Sequence, residues 1–250
     1  MTMVTPELID ALKNSRRVAA ITGAGISAES GIPTFRDAQT GLWAKYDPMQ
    51  LATPEAFLEN PERVWNWYAW RRELLAACRP NKGHQALSRI ARHIPEFQLI
   101  TQNVDGLHQA AGSQDVIELH GNIQRTKCFD HGHTVEQWDA QQAPPPCPYC
   151  GSLLRPDVVW FGEMLPVQAL QQAEQAAARC EVFLSIGTSG QVYPAADLAY
   201  QALASGAMVV EINAEPTPLT ARAHYAFTGK AGDQLPRLLA EIWQESVPDA

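Results

Sequence analysis

The run Ala19-Ala20-Ile21-Thr22-Gly23-Ala24-Gly25-Ile26-Ser27-Ala28-Glu29-Ser30-Gly31-Ile32-Pro33-Thr34-Phe35-Arg36-Asp37 limits what this chain can fold into more than any other stretch. Val18 to Ile21 is a short apolar segment, suited to a strand buried on both faces. It breaks at Gly23-Ala24-Gly25-Ile26-Ser27-Ala28, which fits the G-x-G-x-x-G/A fingerprint of a dinucleotide site. In such a site the first glycine permits the tight turn and the second lets the backbone approach a pyrophosphate. The small third residue lets a helix pack on the strand, with its N-terminus toward the anion. A hydride-transferring dehydrogenase would continue that helix into a second strand, with an acidic residue for the ribose about 20 residues on. Here Gly31-Ile32-Pro33 stops the helix almost at once, and Phe35-Arg36-Asp37 falls in a loop. An aromatic, a cation and a carboxylate beside a phosphate cradle point to a loop that closes over the dinucleotide. NAD is therefore read as consumed rather than reduced.

Around this motif lie five apolar strand candidates: Val18–Thr22, Phe97–Thr101, Val116–Leu119, Val182–Gly187 and Met208–Asn213. Helical patterns such as His84–His93, Val167–Arg179 and Ala195–Ser205 alternate with them. The alternation predicts an α/β fold with a doubly wound, parallel, Rossmann-like sheet. Ligands in such sheets bind beyond the carboxyl ends of the strands. The glycine fingerprint, Gln102–Asp105, His120, Gly187–Ser189 and Asn213–Glu215 all follow strands, so they should converge on one crevice. Two segments depart from the pattern. The stretch 38–80 is aromatic-rich and interrupted by Pro48, Pro54 and Pro61, which predicts a small helical insertion. The stretch 121–155 lacks helical period and predicts a compact metal-stapled module. The reading is thus one catalytic domain over 1–250, its Rossmann-like core formed by 1–37, 81–120 and 156–250.

The metal expectation rests on spacing. Cys147-Pro148-Tyr149-Cys150-Gly151 is a two-thiolate knuckle, and Cys128-Phe129-Asp130-His131 supplies a second pair fifteen residues before it. Four nitrogen and sulfur ligands at this spacing suit tetrahedral Zn²⁺ in a closed, structural site. His131 is the expected fourth ligand, with His133 close enough to serve instead. A nucleic-acid-binding ribbon is disfavoured, because the module holds only Arg125, Lys127 and Arg155 as permanent cations.

Composition narrows the class further. Over 250 residues the chain is 46% hydrophobic and 18% charged, as for an ordinary globular protein. A net charge of -8 argues against general affinity for nucleic acid. The first helix is polar and capped, unlike a signal peptide, and no run approaches the roughly 18 apolar residues that span a bilayer. Five cysteines, three of them clustered with histidine, speak against a disulfide framework. Cys78 and Cys180 read as buried small hydrophobes. These features predict a cytoplasmic protein with neither membrane nor nucleic-acid partners.

The long glycine-led string resembles the signature of the sirtuins, NAD-dependent protein lysine deacylases. The resemblance recurs at Thr101-Gln102-Asn103-Val104-Asp105-Gly106-Leu107-His108, Glu118-Leu119-His120-Gly121, Val158-Val159-Trp160-Phe161-Gly162-Glu163, Gly187-Thr188-Ser189 and Glu211-Ile212-Asn213-Ala214-Glu215. It implies His120 as the general base that activates a ribose hydroxyl, a task suited to an imidazole with a pKa near 6.5. It implies that Asn103 and Asp105 hold the nicotinamide carboxamide and ribose, with Gln102 also on the ribose. Gly23, Ala24 and Gly25 would cradle the phosphates, while Ser27, Gly187, Thr188 and Ser189 would donate to phosphate or ribose oxygens. Phe35 would shield the reactive ribose face and Arg36 would order its loop. Asn213, Ala214 and Glu215 would hold the adenosine ribose, and Ala231 would pack on adenine. The family usually carries four cysteines in its zinc module, so Cys128, His131, Cys147 and Cys150 would be a variant set. Val159 lies in the segment that pairs with the substrate peptide.

Tyr68 and Arg71, three apart in the helical stretch Arg63–Leu74, project from one helix face. They resemble the Tyr-x-x-Arg pair of desuccinylase and demalonylase sirtuins, in which a guanidinium fork and a phenol grip the acyl carboxylate. Ala52 would leave room for the longer chain. The resemblance therefore implies acyl-lysine proteins or peptides as partners, NAD as co-substrate and one structural zinc. The rival readings are a plain deacetylase, a protein ADP-ribosyltransferase and a non-catalytic NAD sensor.

Overall fold

Residues buried on both faces build the centre of the molecule. In β1 (Arg17–Thr22), Val18 and Ala20 face one apolar cluster while Ala19 and Ile21 face another. The same alternation runs through β2 (Glu96–Thr101), β6 (Val182–Ile186) and β7 (Met208–Asn213). A strand with two apolar faces must be covered on both sides, which is the condition for a parallel sheet with helices on each face. The computed structural model describes residues 3–33, 48–139 and 141–248. Among these, β3 (Ile117–Glu118) and β8 (Tyr225–Thr228) complete a six-stranded sheet in the order β3-β2-β1-β6-β7-β8. Every neighbouring pair is parallel. The order reverses between β1 and β6, the doubly wound arrangement that the sequence predicted.

Helices α1 (Pro6–Asn14), α4 (Lys82–Ile90) and α8 (Ala231–Trp243) cover one face. The opposite face packs against α6 (Val167–Arg179) and α7 (Asp197–Ala204) through alanines 173, 177, 199 and 202. The short α5 (Leu107–Ala110) lies beyond β2. The ends of α6 and β7 fall where the sequence pattern put them. Strand β8 and helix α8 were not anticipated: Gly229, Gly232 and Pro236 disguise a 13-residue helix. Cys180 is buried, whereas Cys78 is half-buried.

The prolines of the aromatic segment start helices rather than break them. Pro54 opens α2 (Pro54–Glu59) behind the Thr53 cap, and Pro61 opens α3 (Pro61–Ala77) behind the Asn60 cap. Both pack against an antiparallel pair, β4 (Gly121–Cys128) and β5 (Leu154–Val158), which carries the small module past the expected bound at 155. Phe57, Val64, Tyr68, Ile123, Val158 and Trp160 share one apolar cluster, and Cys128, Val135, Cys147 and Leu154 form a second one nearby.

The glycine fingerprint departs from expectation in an informative way. In place of an α-helix it makes two single 3-10 turns, Ala24–Ile26 and Ala28–Ser30, ended by Gly31 at φ +82°. Its glycines are required chiefly by another strand end: the Gly25 amide donates to the Gly187 carbonyl at 2.8 Å, and Gly23 donates to Ile186 at 3.0 Å. A Cβ on Gly25 would lie 2.8 Å from Gly187 Cα, and one on Gly187 would lie 2.5 Å from the Ile26 nitrogen. Gly187 also sits at φ +59°. Replacing Gly187 with Ala combines left-handed strain with an unavoidable overlap, an expected loss of at least about 2 kcal/mol. Thermal unfolding should show it as a fall in Tm of about 4–8 °C; an unchanged Tm would mean that the two turns can move apart freely.

Candidate active site

The polar residues after the strands do converge at the switch point. Asn103, just past β2, donates through Nδ2 to the Gly23 carbonyl at 3.0 Å and to the Ser27 hydroxyl at 3.2 Å. Gln102 donates to the Thr188 hydroxyl at 2.9 Å, bridging β2 to the loop after β6. Asn213, at the end of β7, donates to the carbonyls of Thr188 (3.4 Å) and Glu215 (2.9 Å). Ser189 is half-buried beside them, Ala24 is half-buried in the first turn and Ala214 is exposed. Ala231 is buried at the first turn of α8, whose Gly232 amide donates to Glu29 at 2.8 Å. One carboxylate thus ties α8 to the glycine turn. The crevice has the polar, strand-end character that a dinucleotide needs. Phe35 and Arg36 lie outside the described residues.

Ser27 does not face solvent. It is fully buried, and its hydroxyl gives its proton to Asp105 at 2.7 Å. Behind it stands a layer that the sequence reading did not identify. The Asn81 amide donates to His84 Nδ1 at 3.4 Å, so His84 carries its proton on Nε2 and points it at Ser27, 3.3 Å away. Thr22 gives its hydroxyl proton to Thr101 at 2.8 Å and therefore accepts from His108 Nε2, also at 2.8 Å. The two imidazoles meet edge to face with centroids 5.0 Å apart. Burial drives both toward the neutral form, His84 down to about 4 and His108 down to about 3, the latter also through His84. The asparagine caps α4 and the threonines end strands, so their only sequence signal was polar residues beside apolar runs.

His120 is half-buried directly after β3. Its Nδ1 lies 2.9 Å from the Gln102 carbonyl, which can only accept. The proton therefore sits on Nδ1, and Nε2 is left as a bare acceptor. Burial lowers its pKa, opposed by that hydrogen bond, so the ring is neutral at pH 7. Val159 is held beside it: its amide donates to the His120 carbonyl at 2.9 Å. Asp105 sits higher than an ordinary aspartate because of burial, countered by the Leu107 amide, Ser27 and Arg71.

That last influence locates the Tyr68 and Arg71 pair. Both lie on one face of α3, and the Arg71 guanidinium carbon is 4.8 Å from the Trp67 ring centroid and 5.6 Å from that of Tyr68. Burial lowers the Arg71 pKa, opposed by Tyr68 and by Asp105. The pair therefore lies within electrostatic reach of the crevice. Ala52 is also held near, its carbonyl accepting from the Phe161 amide at 2.9 Å.

At the other pole, the sulfurs of Cys128, Cys147 and Cys150 lie within 4.8 Å of one another. Cys128 and Cys150 are 3.5 Å apart. Neither His131 nor His133 joins the three sulfurs within 4.8 Å; His133 Nε2 lies 3.3 Å from one of them, Cys147 Sγ. His131 is exposed and stacks outside His133 with centroids 6.2 Å apart. The Cys128 amide donates to the His133 carbonyl at 3.0 Å.

The pattern of the Sir2 family matches residues 23–194. A relative from Aquifex aeolicus (strain VF5), named NAD-dependent protein deacylase, is 52% identical over 223 residues, 88% of this chain and 93% of its own. A solved mutant Sir2 homologue in complex with ADP-ribose has a TM-score of 0.89 at 44% identity, covering 96% of this chain and 97% of its own. A Sir2 structure with a p53 peptide and NAD+ gives 0.83 at 33% identity, covering 97% of this chain and all (100%) of its own. The chain belongs to the Sir2 family.

The buried imidazoles have a consequence for stability. Between pH 6.5 and their depressed pKa values, the unfolded chain binds protons that the folded chain refuses. Stability therefore falls as pH drops from 7 to 5, by about 2 kcal/mol per histidine. Urea unfolding at the two pH values should show this loss. His108→Gln, which keeps an N–H for Thr22 but cannot titrate, should remove roughly half of it; an undiminished slope would refute the neutral pair.

Proposed function

We propose that the protein is an NAD-dependent lysine deacylase that prefers acyl groups ending in a carboxylate. It acts on acyl-lysine proteins or peptides and releases nicotinamide, free lysine and O-acyl-ADP-ribose. The observation that carries the deacylase reading is the His120 tautomer: Nδ1–H is fixed on the Gln102 carbonyl and Nε2 is free to accept a proton. Family membership and the names of the relatives support the same reading.

NAD would supply the ribose carbon that receives the acyl oxygen. Gly23, Ala24, Gly25, Gly187, Thr188 and Ser189 would hold its phosphates and nearer ribose, and Asn213, Ala214, Glu215 and Ala231 its adenosine end. Asn103 and Asp105 would orient the nicotinamide side, with Ser27 and His84 fixing the direction of the Asp105 carboxylate. Neutral His120 would take the ribose hydroxyl proton without first having to lose one of its own. Phe35 would shield the ribose face and Arg36 would order its loop, as the resemblance implies. Val159, anchored to the His120 carbonyl, would align the substrate peptide with the base.

The acyl preference rests on Tyr68 and Arg71 sharing one face of α3, within electrostatic reach of the crevice. A carboxylate entering there meets a cation whose other neighbour is an aromatic ring, and a guanidinium offers it two parallel donors. Losing a charge-assisted bond of about 1.5–3 kcal/mol converts to roughly 10- to several-hundred-fold. Arg71→Met should lower the ratio of kcat/KM for succinyl-lysine over acetyl-lysine peptides by that factor. Chromatography of the products should show O-acyl-ADP-ribose. An unchanged ratio would make the protein a plain deacetylase, and ADP-ribosylated protein in place of O-acyl-ADP-ribose would make it a transferase.

Three thiols and one imidazole match the donors that zinc takes in structural sites, and with four protein ligands the metal would serve only to hold the β4–β5 module. Cys128, Cys147, Cys150 and His133 would be the ligands. Purified protein should contain about one zinc per chain. His133→Ala should lower metal content and Tm, and His131→Ala should change neither appreciably; the reverse result would restore His131. Among the described residues no helix is long and apolar enough to cross a membrane. None of the five cysteines is paired in a disulfide, in keeping with the proposed cytoplasmic setting.

A further inference from the structure

Tyr68 is 2% exposed, yet its hydroxyl has a partner that the acyl-binding reading does not use. The indole Nε1 of Trp160 lies 2.9 Å from Tyr68 Oη. An indole nitrogen can only donate, so the phenol oxygen accepts here and cannot aim its own proton at Trp160. No acceptor for that proton is found among the described residues. It is left to turn toward the Arg71 side of the ring, where the guanidinium is a donor and offers it nothing. A buried hydroxyl with an unspent proton beside a cation is complementary to one kind of newcomer, an anionic acceptor that can take both.

Trp160 is itself unable to drift. Its backbone amide donates to Glu163 at 2.7 Å. The Arg155 guanidinium carbon stands 3.3 Å above the ring centroid, and Phe57 packs 5.4 Å away on centroids. Arg155 is fixed in turn by Glu163 at 2.9 Å and by the Val158 carbonyl at 2.8 Å. The indole N–H is therefore a preset donor, held at the end of β5 and aimed at α3. Burial also raises the Tyr68 pKa, against the pull of Arg71 and the Trp160 hydrogen bond, so the phenol keeps its proton at neutral pH.

We infer that Trp160 is a positioning residue for acyl selectivity: its indole N–H fills one lone pair of the Tyr68 oxygen and so orients the phenolic proton, beside Arg71, toward the distal carboxylate of the acyl group. The inference rests on the acyl preference proposed above and adds a residue that touches neither NAD nor the acyl carboxylate. It also explains why the pocket needs a tryptophan rather than another aromatic at this place, since phenylalanine would pack but could not donate.

The test removes the N–H and little else. Trp160→Phe, and the isosteric replacement of Trp160 by β-(3-benzothienyl)alanine, which keeps the bicyclic shape, would be compared with the parent on succinyl-lysine and acetyl-lysine peptides. The selectivity ratio for succinyl over acetyl should fall about three- to tenfold in both, the range of one neutral hydrogen bond. In a Tyr68→Phe background the same replacements should leave the ratio where Tyr68→Phe alone puts it, because the oriented group is already gone. A purely structural tryptophan would lower both substrates in proportion and add to Tyr68→Phe, and either result would overturn the inference. If Arg71→Met shifts the ratio while the benzothienyl variant does not, the acyl reading stands and Trp160 has no part in it. If neither shifts it, the acyl reading fails and this inference falls with it.

Discussion

The approach of the Gly23–Gly25 turn to Gly187 is the contact on which the rest of the structure depends. Two parallel strands, β1 and β6, end side by side and send their chains to opposite faces of the sheet. Their exits meet through backbone alone, with the Gly25 amide on the Gly187 carbonyl at 2.8 Å and no room for a Cβ on either residue. This closeness opens the crevice at the switch point to polar groups from four strand ends. Gln102 can reach Thr188, Asn103 can reach Gly23 and Asn213 can reach Thr188 only because these ends are drawn together. A bulkier side chain at the junction would separate the two halves of a dinucleotide site before affecting any residue that touches a ligand.

Behind the crevice the fold uses neutral histidines as rigid spacers. A buried imidazole that cannot charge offers one donor and one acceptor in fixed directions, which suits it to passing orientation from a helix cap to an active-site carboxylate. His84 does this for Ser27 and Asp105; His108 does it for the ends of β1 and β2 through Thr22 and Thr101. His108 also has a ring nitrogen, Nδ1, without a partner among the described residues, but it is sealed in the core, whereas His120 is half-buried at the crevice. The same side chain thus stands as a neutral spacer where it is sealed in the core and opens a nitrogen to the crevice where it is half-buried.

The part of the molecule above the sheet is held by interactions of another kind. Arg155 is 3% exposed and pairs with Glu163 over the face of Trp160. A buried ion pair of this sort contributes little net stability, but removing one partner would leave an uncompensated charge. Its effect here is directional: it fixes Trp160 and, through Trp160, the hydroxyl of Tyr68. Arg155 stands one register position from the Cys128–Leu154 pairing that leads into the three-thiol cluster, and its side chain runs along the β4–β5 pair to Val158 and Glu163.

Much of this was legible from residue order. Apolar runs without alternation mark strands buried on both faces, so β1, β2, β6 and β7 could be read, and the turn residues after them located the crevice. Cysteine spacing announced a metal-type cluster because thiolate pairs two residues apart have few other uses. What escaped was decided by contacts distant in sequence. Helix α8 carries Gly232 and Pro236, which read as breakers, yet Glu29 holds its first turn and a full apolar face against the sheet outweighs them. The fingerprint glycines read as ligand-facing, but their closest neighbour is Gly187, more than 150 residues on. His131 and His133 lie two residues apart, so spacing does not choose between them; the path of the chain after β4 puts His133 against Cys147. Residue types and local spacing determined which chemistry this protein could hold, because strand burial, turn geometry and ligand softness are local properties. Tertiary packing decided which atoms face one another, because hydrogen-bond direction depends on neighbours that the sequence does not place.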